Sequence, residues 1–172
     1  VIREQRPDVV LLDVHLPGGA GGGGASAPML AGLAAYHERT ADGIRPAMSE
    51  LASGQAPSAM MVTCADSRVM PHVITHSGPG DVFTVQNVGN LVTGPDTTAA
   101  VEYASGVLGV GLIAVCGHSG CGAMNGLLHG AAGPDSELGS WLSGAGSVLR
   151  AWRRGLPVGH AAAAEGFGEA DQ

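Results

Sequence analysis

The chain has 172 residues, enough for one domain with a substantial core. Hydrophobic residues make up 45% of it but aromatic ones only 3%, so the core has to be built from Ala, Val, Leu and Met. The net charge is −7 and all eight basic residues are Arg, which leaves no basic face for nucleic acid, and no apolar run reaches the ~18 residues of a membrane-spanning helix.

The first apolar run is Asp8-Val9-Val10-Leu11-Leu12-Asp13, closed by the turn residues Pro17-Gly18-Gly19. This stretch resembles the phospho-acceptor strand of a response-regulator receiver domain, with Asp13 at the acceptor position. A receiver needs its whole α/β domain to hold magnesium and phosphate. Residues 1–19 are therefore set apart as a leftover fragment, and Asp13 is assigned no function. Residues 20–28 are Gly-rich and read as a flexible linker. The remainder, 29–172, reads as one domain.

From Met29 a helical pattern runs to an interruption near Asp42-Gly43. A second short helix is expected over Arg45–Ala52, with Pro46 in its first turn and Gly54 closing it. Ala59–Thr63 is apolar without alternation, as expected of a strand buried on both faces, and it delivers Cys64 at its carboxyl end. Asp81–Val85 is a second strand and Gly111–Cys116 a third, which delivers His118. Between them Asp96 is expected to cap a helix through Leu108, with Ala100, Ala104, Val107 and Leu108 as its apolar stripe. A further helix starts at about Gly122. Asp135–Arg154 carries more helical signals, with Trp141, Leu142, Leu149 and Trp152 as packing residues, and the Ala/Gly/Glu-rich end 161–172 carries none. Strands alternating with helices predict an α/β fold with a mostly parallel sheet flanked by helices. Open sheets of this kind bind ligands at the carboxyl ends of their strands.

Two motifs sit at those ends, Cys64-Ala65-Asp66-Ser67-Arg68 and Gly117-His118-Ser119-Gly120-Cys121-Gly122. Cys64 and His118 are 54 positions apart, on different elements, whereas His118 and Cys121 are three apart at the entry to a helix. A closed structural zinc site would show two close ligand pairs, and no fourth Cys or His stands at such spacing. Cys, His and Cys with an open fourth position is the ligand set of a catalytic zinc. A helix amino terminus would also lower the pKa of Cys121. Asp66 and Arg68 supply what a water-activating site needs beside the metal, an acceptor that orients water and a cation that orients the acceptor. Cys116 reads as a small buried strand residue. His72, His76 and His129 read as rim or surface groups, of which His72 or His76 can relay protons.

On these motifs residues 29–172 are similar to the β-class carbonic anhydrases. The resemblance implies one Zn2+ per chain held by Cys64, His118 and Cys121, with the Asp66–Arg68 pair beside it. It implies a substrate cleft from Gln55, nine before the first Cys, and from Phe83, Val88 and Tyr103. The implied reaction is reversible hydration of CO2 to bicarbonate. Asp66 would orient the attacking oxygen, or close the metal's fourth position itself where Arg68 fails to hold it. Related sequences commonly read V-R-N-x-G-N where this one has Val85-Gln86-Asn87-Val88-Gly89-Asn90, so Gln86 removes a cation near the expected dimer contact. The family normally continues with another helix and an edge strand, so the domain is expected to be truncated at its carboxyl terminus. A homodimer or higher homo-oligomer is implied, with parts of the cleft from the partner. Two of three Cys taken up by the metal motif, with no leader sequence, point to a reducing, cytoplasmic setting. Two rival functions fit the same motifs, a CS2 or COS hydrolase on the same fold and a non-catalytic, truncated zinc-binding module.

Overall fold

In the computed structural model, residues 8–14, 26–130, 133 and 135–155 are described. Linker residues 20–25 and the end 161–172 lie outside them. Among the described residues the sheet has four parallel strands, β1 (Asp8–Val14), β2 (Ala59–Cys64), β3 (Val82–Asn87) and β4 (Leu112–His118), in the order β1-β4-β2-β3. The β2 and β4 runs lie between other strands and carry little polarity, as two-sided burial requires. They run one and two residues past the predicted ends, because the ladder continues through the candidate ligand residues Cys64 and His118.

The segment set apart as a leftover is thus an edge strand. It pairs with β4 over seven residues, from Asp8 opposite Leu112 to Val14 opposite His118. The partners are about a hundred positions apart in sequence, and local patterning does not report a pairing of that range.

One face of the sheet carries the core, formed by Met60, Val62, Ala104, Val110 and Ile113, with Phe83, Val85, Ala100, Val101, Leu108 and Val115 packed against it. The covering helix α4 (Gly94–Glu102) starts two residues before the expected cap, with Pro95 in its first turn, and passes into a wider π-helical turn over Tyr103–Leu108. That wider turn rotates Val107 out to solvent, so it leaves the predicted stripe, while Ala104 is fully buried.

The helical arm between β1 and β2 also differs from expectation. Helix α1 (Ser26–Ala35), a π-helical turn over Tyr36–Thr40 and α2 (Ala41–Glu50) follow one another directly. The chain does not break at Asp42-Gly43, and Pro46 lies inside α2. The break comes after a short 3-10 turn, Leu51–Ser53, where Gly54 takes a φ of 147° that a side chain would disfavour. No residue of the arm from Ala31 to Ser53 is buried.

A short helix, α3 (Pro71–Ile74), leads on from the first motif. After β4 come α5 (Gly122–His129), α6 (Glu137–Ser143) and α7 (Gly146–Arg153). Ser136 caps α6 by accepting a hydrogen bond from the Gly139 N–H at 3.0 Å. Leu142 is buried and Trp141 half-buried, but Trp152 is 57% exposed and does not pack as predicted. Among the described residues no helix is long and apolar enough to cross a membrane.

Candidate metal centre

Parallel strands β2 and β4 end side by side, so their last residues leave the sheet at the same end. Cys64 ends β2 and His118 ends β4; three residues on, Cys121 precedes α5. The side chains of all three are buried, and their ligand atoms lie within 4.8 Å of one another. The two Sγ atoms are 3.9 Å apart. Two sulfurs on one tetrahedral zinc, each at about 2.3 Å, would be separated by about 3.8 Å. The imidazole is pre-oriented as well. His118 Nδ1 is 3.0 Å from the Ser119 carbonyl oxygen, to which it donates, leaving the lone pair of Nε2 facing the sulfurs. His118 Nε2 is fully buried and has no hydrogen-bond partner, a costly state for a ring nitrogen unless a cation takes its lone pair. Donor chemistry, spacing and the orphaned nitrogen all fit a zinc ion.

The Cys121 thiol is pushed up from its ordinary value. Burial is the main cause, and Cys64 beside it adds to it. The Met124 and Ala123 N–H groups at the start of α5 pull the other way. The helix terminus alone therefore does not produce the thiolate expected from sequence. A bound cation would, since coordination deprotonates a thiol outright.

Asp66 and Arg68 form a closed pair at the rim. Arg68 donates from Nε to Oδ1 at 2.9 Å, from Nη2 to Oδ2 at 2.8 Å and from its backbone N–H to Oδ1 at 3.0 Å. These bonds, the side-chain ones first, hold the Asp66 carboxyl well below the usual carboxylate range. Asp66 Oδ2 lies 3.8 Å from His118 Nε2, so the carboxylate stands at the edge of the ligand cluster while Arg68 retains it.

Support comes from β3, in residues whose roles only the contacts reveal. The Ala65 N–H donates to the Asn87 carbonyl at 2.8 Å, which turns the chain after Cys64 toward β3. Asn87 fixes the following loop through Nδ2 to the Leu91 carbonyl at 2.8 Å and through Oδ1, which accepts from the Leu91 N–H at 2.9 Å. Gln86, where the resemblance leads one to expect a cation, donates from Nε2 to the Cys64 carbonyl at 3.4 Å. Gly89, at φ 83°, lets this loop press against α5, since a Cβ there would stand 2.8 Å from Met124 Cε. The signal for these residues was present in the string Val85–Asn90, but their bonds are not readable from it.

The implied cleft residues divide. Val88, 44% exposed, lines a cavity of about 530 Å3 with Ala65, Thr97, Leu138 and Trp141, next to the first ligand. Trp141 Nε1 donates to its carbonyl at 2.7 Å. Phe83 is elsewhere. It pairs with Met60, four residues before the level of Cys64 and Asn87, or about 13 Å along the strand. Tyr103 is exposed and packs on Phe83, with ring centroids 5.9 Å apart. Gln55 is exposed in the loop that enters the amino end of β2. Of the possible relays, His72 is exposed and bonded to Ser77 Oγ at 3.0 Å, and His76 is exposed at a φ of 51°. Cys116 is fully buried, as expected.

The sequence pattern of the carbonic anhydrase family matches residues 59–165. A carbonic anhydrase of Pseudomonas aeruginosa is 50% identical over 88 residues, covering 46% of this chain and 40% of that protein. The chloroplastic β carbonic anhydrase 5 of Arabidopsis thaliana is 46% identical over 83 residues, covering 45% and 28%. The alignments thus span less than half the length of these curated relatives. Among solved structures, the β-carbonic anhydrase CcaA superposes with a TM-score of 0.67 at 34% identity, covering 72% of this chain and 64% of that one. A β-carbonic anhydrase described as tetrameric, from Sordaria macrospora, gives 0.62 at 34% identity, covering 74% and 66%. With the family pattern over more than half its length and the same parallel α/β core, the chain belongs to the β-carbonic anhydrase family.

Proposed function

We propose that this protein binds one zinc ion through Cys64, His118 and Cys121 and catalyses the reversible hydration of CO2 to bicarbonate. The observation that carries the reading is the buried, partnerless Nε2 of His118 facing two sulfurs set at the bite of a tetrahedral ion. A structural site would explain those three ligands but not Asp66 beside them, held ionised by three bonds from Arg68.

Bound zinc supplies a Lewis acid that makes hydroxide available from water near neutral pH. The chain's own residues do the rest. Cys64, His118 and Cys121 provide three ligands and leave one position open. Asp66 accepts a hydrogen bond from the attacking oxygen at Oδ2, which fixes that oxygen's proton and turns a lone pair toward the carbon of CO2. Arg68 keeps the Asp66 carboxylate in the one rotamer that does this, and keeps it off the metal. Val88 and the apolar wall beside it exclude competing water.

Gln55, Phe83 and Tyr103 lie toward the other end of the strands. We assign them to the cleft of a neighbouring subunit in a homodimer or larger homo-oligomer, Gln55 as amide donor to a substrate oxygen and the two rings as apolar wall. Exposure of Tyr103 and the absence of buried residues on the arm from Ala31 to Ser53 support this assignment.

The test is stopped-flow CO2 hydration by the zinc-loaded full chain. The reading requires hydration above the uncatalysed rate that vanishes on chelation and returns with zinc. Stoichiometric zinc without hydration would leave a binding module instead.

A further inference from the structure

The pairing of β4 is uneven. On one side its register with β2 stops at Thr63 opposite Cys116. The β2 chain then departs, since the Ala65 N–H bonds to Asn87 on β3. On the other side β1 continues two residues further, with Asp13 opposite Gly117 and Val14 opposite His118. Among the described residues, β1 is thus the one strand that pairs with the last two residues of β4, and His118 is the second of them.

From this asymmetry we propose that Asp8–Val14 is a positioning strand for the metal centre. It pins the backbone that presents His118, and so sets the imidazole against Cys64 and Cys121. The inference rests on the zinc assignment above. The physical reason is cooperativity of the ladder. With β1 in place, β4 is a central strand and its last residue is held by backbone pairing. Without β1, β4 becomes an edge with unpaired donors and acceptors, and Gly117, which has no side chain to restrain it, becomes the only link between the paired strand and His118. A misplaced ring loses metal affinity without any change in ligand identity. Loss of groups that orient a metal ligand typically costs about 10–100-fold in affinity.

The experiment uses the full chain with Val10→Pro and, separately, Leu11→Pro. Neighbouring residues of a strand direct their backbone groups to opposite sides, so one of the two prolines removes a bond to β4 whatever the phase. Val10→Ile is the conservative control. Zinc affinity is read by competition with a chromophoric chelator, and ligand geometry by the visible spectrum of the cobalt-substituted protein. The expected result is affinity lowered about 10–100-fold in at least one proline variant, with an altered cobalt spectrum, and parent values in Val10→Ile. Unchanged affinity and spectrum in both proline variants would overturn the proposal.

If the prolines unfold the chain, hydrogen exchange of the unsubstituted protein decides. Amides of residues 8–14 and 117–118 protected as well as those of β3 support the strand, and exchange of residues 8–14 at unstructured-peptide rates overturns it. Failure of the zinc assignment has a different signature. Cys64→Ser would then keep its metal, while the exchange pattern would still report on β1.

Discussion

The two ends of the parallel sheet are built differently. At the carboxyl ends, Cys64, His118 and Cys121 are buried, Asp66 is locked by three bonds, and the Asn87 loop is bonded at both its amide atoms. Toward the amino ends, Gln55 and Tyr103 are exposed and Phe83 is only half-buried. One chain therefore brings Cys64, His118, Cys121 and the Asp66–Arg68 pair together at one end, and leaves Gln55 and Tyr103 open at the other. The finished end is held by short-range contacts on adjacent strands, and under the proposed function the open end is where a second copy completes the cleft.

The largest expected effect is at the finished end. Changing Cys64 or Cys121 to Ser should abolish most zinc binding, because a neutral hydroxyl is a poor substitute for a thiolate. Elemental analysis after desalting measures it, and full occupancy in both variants would break the contrast. Asp66→Asn should come next. It keeps the shape but places a donor where an acceptor is required, so turnover should fall about 10²–10⁴-fold while zinc content stays at the parent level. Parent-like hydration by Asp66→Asn would reduce the Asp66–Arg68 pair to a structural one.

Stability should separate the two ends as well. Met60 is fully buried at the centre of the core, and Met60→Ala should cost about 2–5 kcal/mol in denaturant unfolding. Tyr103→Ala, at a more exposed position whose ring contact is Phe83, should cost monomer stability only about 0.5–1.5 kcal/mol. Its larger effect should be on association, read as a shift in sedimentation toward smaller species. A Tyr103→Ala protein that associates like the parent would contradict the subunit assignment.

Much of the finished end is legible in sequence. Apolar runs without alternation locate β2 and β4, and a ligand at the end of each run follows from where parallel sheets place their loops. The geometry that locks Asp66 follows from a spacing of two between Asp66 and Arg68. What escapes is non-local or subtle. The β1 strand reads as a fragment because its partner β4 lies about a hundred residues away. Continuity of the arm through Gly43 and Pro46 overrides two local helix breakers. Phe83 and Tyr103 are located by their spacing from Cys64 and His118, and one-dimensional spacing carries no information on which end of a strand a residue lies at.

The smallest expected effect is the pH dependence of the Asp66 contact. Its folded pKa lies below the unfolded value of about 3.9, so the stability it adds is present above that value and is lost as pH falls through the lower folded one. The difference in melting temperature between the parent and Asp66→Asn should thus be constant from about pH 5 to 8 and shrink only in stronger acid. A difference that shrinks between pH 5 and 8 would mean that Arg68 does not hold the carboxylate as described.

The central claim is the ligand set, and X-ray absorption at the zinc edge tests it most directly. The account predicts two sulfurs at about 2.3 Å, one imidazole nitrogen at about 2.0–2.1 Å and one further light atom. A first shell with four sulfurs, or with none, would contradict it.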